Sequence, residues 1–76
     1  LLLAEGPTRD ALASFDSYLA TSPNGTLAEE ALVGRASALM RLGHRDEERE
    51  AWTRLLREHP DSVQVERARR RLSELR

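Results

Sequence analysis

Shifting the sequence against itself by 37 residues brings its structure-punctuating side chains into register, and that repeat limits the architecture more than any other feature. Gly6 falls on Gly43, Phe15 on Trp52, Leu19 on Leu56 and Pro23 on Pro60, while Leu2 on Leu39, Glu29 on Glu66 and Ala31 on Ala68 extend the match. These are residue types that a helical repeat needs at fixed points. Glycine ends a helix in the left-handed conformation, an aromatic ring fills a seam between helices, and proline stops the helix that follows. A period of this length marks stacked helical units. The 76 residues suffice for one small domain or a fragment of a repeat array. Folding at that size buries only about 60% of the unfolded surface, so the core is thin.

Local signals divide the chain in step with the repeat. Residues 1–5 read as the last turn of a truncated helix closed by Gly6, and Pro7 suits the first turn of the next helix, where no donor is missed. Helices are then expected over 7–21, 26–42, 46–59 and 62–76 of a single domain. Ser22-Pro23-Asn24-Gly25 is a turn, and Thr26 with Glu29 has capping-box spacing. Asp46, Glu47 and Glu48 suit the positive end of the third helix. The expected inward set is Leu12, Phe15, Leu19, Leu32, Ala36, Leu39, Trp52, Leu55, Leu56, Val65, Ala68 and Leu72, with Leu75 continuing the last stripe. No such helix is stable alone in water, and short links between helices impose antiparallel neighbours. The expected class is all-α, built of stacked antiparallel helical hairpins.

Composition removes several function classes. Lys+Arg is 12 against Asp+Glu 13, for a net charge of −1, whereas a wholesale nucleic-acid or membrane-surface binder carries a large basic excess. There is no cysteine, hence no disulfide and no thiolate nucleophile. The longest apolar run, Leu1 to Ala4, is too short for a membrane span, so no direct membrane insertion is expected. The opening leucine reads as the start of an excised or processed piece. All 12 basic residues are Arg, Ile is absent and Asn24 is the only Asn, a bias that points to a GC-rich bacterial genome.

Candidate chemistry is sparse. His44 and Glu48 lie four apart, but a metal site needs three or four ligands and the chain has two histidines, so no metal is expected. Ser, His and acids occur without nucleophile-elbow or phosphate-loop spacing, so neither catalysis nor a cofactor is expected. Asp46 to Glu50 reads as a solvated helix start. Arg67 to Arg76 holds five Arg against Glu74 but no interleaved aromatics, which disfavours a nucleic-acid patch. Trp52 reads as core, and Tyr18, at the edge of its stripe, as an interface marker.

Ala11, Phe15 and Pro23 reproduce the second-helix signature of the tetratricopeptide repeat family, which the chain resembles over nearly its whole length. Trp52 and Pro60 repeat it, with Glu48 where the family has a small residue. In the complete first helix Leu32 and Gly43 match, Ala36 stands for the family's glycine, Leu39 for its aromatic, and Arg35 replaces a leucine. The period exceeds the usual one of about 34 residues, as in the longer repeats of bacterial envelope and signalling proteins, so an envelope, periplasmic or cytoplasmic setting is equally compatible. If Glu48 takes the small inward position, its carboxylate must reach solvent or Arg41, Arg45 or Arg49, and Glu48→Ala is expected to be neutral or stabilising.

The resemblance implies protein–protein interaction on a concave surface. Ligands of such repeats meet the first helix of each hairpin, which here gives Glu30, Val33, Gly34, Ser37 and Arg41. The shift by 37 residues adds Arg67, Arg70, Arg71 and Glu74. Three guanidiniums on one helical face point to an acidic peptide or acidic partner surface, while the basic and Asn pairs of a carboxylate clamp are missing. The alternatives are self-assembly into a homo-oligomer, through the stripe of Leu1, Leu2 and Leu3, and nucleic-acid binding by the Arg-rich helix.

Overall fold

Leu, Ala, Glu and Arg, all strong helix formers, fill the stretches between the prolines, and those stretches are helical. The computed structural model describes residues 2–76, with side chains from Gly6 onward. Among the described residues the chain forms four helices and no strand: α1 (Leu2–Thr21), α2 (Ala28–Leu42), α3 (Arg45–Glu58) and α4 (Val65–Glu74). None is long and apolar enough to cross a membrane. Leu1 and the side chains of Leu2 and Leu3, on which self-assembly was expected to rest, lie outside the described residues.

Three boundaries differ from expectation. The break at Gly6 does not occur, and α1 runs unbroken through Gly6 and Pro7. Pro7 lies in the second turn, where it forgoes one bond to the carbonyl four residues earlier, and the Leu, Ala and Glu around it favour helix. The Thr26–Glu29 capping box does not form either: α2 begins after Leu27, with no side-chain cap. The Glu29 carboxylate instead accepts from Ser62 Oγ at 2.5 Å, and beside it Leu27 N donates to the Tyr18 hydroxyl at 3.0 Å. That bond gives Tyr18 a structural task. α4 starts three residues late because Ser62 Oγ also accepts from Gln64 N at 3.0 Å, holding 62–64 as a turn. By contrast, Gly43 closes α2 as expected. Its φ of 77° lets Gly43 N bond Met40 O at 3.1 Å and His44 N bond Leu39 O at 3.0 Å, the paired bonds of a Schellman motif.

Each helix packs on the next in the chain. Across the α1–α2 seam hydrogen-bonded pairs run in opposite directions, Asp16 with Arg35 but Tyr18 with Leu27, and the two-residue link between α2 and α3 turns the chain back on itself. Alternate helices run the same way, since α2 meets the α4 region through Glu29–Ser62 and Ser37–Arg67. The shortest dimension is 18 Å, about two helix diameters.

The core is alanine-rich where helices approach closely. Ala28, Ala31, Leu32, Ala36 and Leu39 of α2 face Ala51, Trp52 and Leu55 of α3, with Leu19, Ala68 and Leu75 from the flanking helices. Leu12, Phe15, Leu56, Val65 and Leu72, expected inside, are only partly buried. For Leu12, Phe15, Val65 and Leu72 the reason is geometric: α1 and α4 each pack on one sequence neighbour, so only a narrow strip of each is covered. Arg35 of α2 adds a polar clasp, donating to Asp16 of α1 at 2.6 Å and lying 3.7 Å from Glu50 of α3.

Candidate functional site

The seam between α3 and α4 carries the densest side-chain chemistry. Glu48 is 1% exposed, and its partner is Arg71 rather than Arg41, Arg45 or Arg49. Arg71 Nε donates to Glu48 Oε2 at 2.5 Å and Nη2 to Oε1 at 3.1 Å, a two-pronged pair. Trp52 Nε1 donates to the same Oε2 at 3.0 Å. Burial works to raise the Glu48 carboxyl, but the hydrogen bonds from Arg71 and Trp52, with the charges of Arg71 and Arg45, outweigh it and hold its pKa below the usual value. The Arg71 guanidinium is held more firmly protonated by its bonds to Glu48 and Glu74. The expectation for Glu48→Ala therefore reverses: the substitution strands the indole N–H and removes half of an ion pair.

The repeat explains this cluster. The positions of Glu48, Trp52 and Arg71 are those of Ala11, Phe15 and Gly34 moved by 37 residues. In the first copy the Phe15 ring lies so close over Gly34 that a Cβ there would overlap it. In the second copy Arg71 takes the glycine's place and reaches the acid that replaces alanine.

These bonds decide which predicted site residues are free. Arg71 bonds Glu48 and Glu74 and serves the fold. Arg67 stacks 5.3 Å over the Trp52 ring and donates to Ser37 Oγ at 3.1 Å, so it links α4 to α2. Arg69 bonds Glu66 at 3.5 Å. Of the expected guanidinium trio, Arg70 alone is exposed with no partner among the described residues. Arg67, Arg70 and Arg71 do share a hollow of about 230 Å³ with Met40, Trp52 and Glu74. Ser37 and Arg41 lie apart from it, on the α1 side of α2, in a groove of about 450 Å³ with Pro7, Ala11, Phe15 and Gly34. Glu30 and Val33 border a third hollow, of about 220 Å³, with Glu29, Val63 and Gln64. The predicted residues thus lie along α2 and α4 and face three separate depressions, and of those on α2 only Glu30 and Arg41 are exposed.

His44 meets Glu47 at 3.2 Å, not Glu48. Among the described residues no three His, Asp or Glu side chains converge as metal ligands do. Comparison with protein-family models, characterised proteins and solved structures finds no match to the chain.

Proposed function

We propose that the chain is a tetratricopeptide-like interaction module, a binding rather than a catalytic unit, which takes an acidic segment of a partner protein along α2 and α4. The periodic Gly, aromatic and Pro positions, the antiparallel sequence neighbours and the glycine-closed α2 support the repeat reading. The observation that carries the ligand class is the α4 hollow, where Arg70 is unpaired beside Arg67 and the apolar Met40 and Trp52. Arginine forms paired hydrogen bonds to carboxylates, and the apolar floor adds burial.

The test is a calorimetric titration with a synthetic Glu-rich peptide at low and high salt, comparing wild type with Arg67→Ala/Arg70→Ala. Arg71 is left intact because it holds the fold. The double variant and high salt should each weaken binding several-fold. Equal binding by both proteins, or indifference to salt, removes this site. Retention of DNA or RNA in a salt-dependent manner transfers the hollow to nucleic acid, and growth of scattering mass with concentration transfers it to a second copy.

A further inference from the structure

We infer that the N-terminal end of α2 is a second anchor, which receives a cationic side chain of the partner segment with an apolar side chain on either side of it. The inference rests on the interaction-module reading and adds the chemistry of the segment's other end. Glu30 is exposed in the first turn of α2 and, among the described residues, has neither hydrogen bond nor ion pair. Its neighbours are committed: Glu29 to Ser62, and Asp16, Glu47 and Glu50 to Arg35.

Glu30 is also the ridge between two apolar hollows. One, of about 290 Å³, is lined by Phe15, Tyr18, Leu27 and Ala31. The other, of about 220 Å³, is lined by Val33, Val63 and Gln64 beside Glu29. Leu27 is 51% exposed and Val63 90% exposed, and each gains by being covered. An uncharged segment lying over both hollows would desolvate Glu30 without a partner, and an acidic one would be repelled by it. A guanidinium or ammonium group between two apolar side chains satisfies the carboxylate and fills both hollows. With Arg67 and Arg70 drawing an acidic end toward α4, the two anchors of opposite sign fix the direction in which the segment lies.

The probe is an array of fluorescent synthetic peptides with a central Arg and a Leu two, three or four residues away on each side, read by anisotropy. At least one spacing binds wild type, and replacing its Arg by Glu weakens it about fivefold, the upper range for an exposed pair. Val63→Asp, at a position too exposed to matter for folding, weakens it about tenfold, in line with one lost apolar contact. Glu30→Arg inverts the preference toward the Glu-centred peptide. Equal binding of Arg-, Ala- and Glu-centred peptides, or no response to Val63→Asp, overturns the inference. So does concentration-dependent self-association that Glu30→Arg abolishes, since a second copy then occupies the surface. The Glu-rich peptide separates the two proposals: if it still binds through Arg67 and Arg70, only this anchor fails, and if it alone fails, the α4 site is the one removed.

Discussion

Where the first copy of the repeat places Ala11, Phe15 and Gly34, the second places Glu48, Trp52 and Arg71, and the two seams solve one packing problem by different chemistry. Phe15 is apolar throughout, so a glycine that lets the ring approach the α2 backbone is sufficient, and the ring stays only partly buried. Trp52 carries an N–H that needs an acceptor once the ring is buried to 1% exposure. Glu48 supplies that acceptor, and Arg71 neutralises the charge this introduces. The three changes are chemically one change. An acid in a position that wants a small residue is tolerable only because a glycine one helix away has become arginine.

The strongest way to break this comparison is Arg71→Ala. It leaves the Glu48 carboxylate buried without its guanidinium. Stranding a buried charge costs about 3–5 kcal/mol, and a small domain holds only about 5 kcal/mol in all. The variant should be largely unfolded by circular dichroism, while Glu48→Ala/Trp52→Phe/Arg71→Gly, which copies the first seam into the second, should recover most of the helicity. A triple variant as unfolded as the single one would show that the two seams are not interchangeable.

The two aromatics sharpen the contrast. Trp52→Ala should cost about 4 kcal/mol in urea unfolding, as expected for a fully buried ring. Phe15→Ala should cost less, about 2 kcal/mol, because part of the ring is already solvated. Equal losses would mean that the exposed side of Phe15 is covered in solution.

Acid distinguishes the copies next, since only the second buries a carboxylate against its aromatic ring. The Glu48 pKa is lower in the folded chain than its usual 4.5. Its contribution to stability is therefore complete above that value and is lost as pH falls through the depressed folded pKa. Urea midpoints should drop below pH 4.5 in wild type, and Glu48→Gln should remove that part of the slope.

The smallest effect belongs to Gly34→Ala. Its methyl group overlaps Phe15, which costs roughly 1–2 kcal/mol, offset by up to about 1 kcal/mol of helix propensity. Phe15→Leu in the same chain should return the melting temperature to near that of Phe15→Leu alone.

The sequence signals that reported the fold were local ones, and repetition alone was no guide, since Gly6, the counterpart of Gly43, ends no helix. Gly43, the two prolines and the stripes Leu32–Ala36–Leu39 and Trp52–Leu55 specify helices and their contact faces by local geometry, and all behave as expected. The capping box failed because its partners were contested. Ser62, 33 residues away, engages the Glu29 carboxylate that the box would have used, and Tyr18, nine residues away, bonds the neighbouring Leu27 N. Glu48 stands out in the sequence as a conflict, but its partner is no neighbouring arginine: it lies 23 residues away on another helix. The shift contained the missing clue: Gly34 maps onto Arg71, so the departure at Ala11 and the departure at Gly34 fall on residues that touch. The spacing of the arginine trio shows that its members share a face, and the structure adds which are engaged: Arg71 with Glu48 and Glu74, and Arg67 with Trp52 and Ser37.

The packing of each helix on its sequence neighbours also sets how the chain reaches this structure. With links of two residues between α2 and α3 and six residues elsewhere, contacting groups find each other over short chain separations. Such local topologies fold in microseconds to milliseconds. The same linear order lets the ends open first: α1 can detach at its single seam while α2 and α3 stay joined, so amide exchange in α1 should outpace exchange in the middle of the chain.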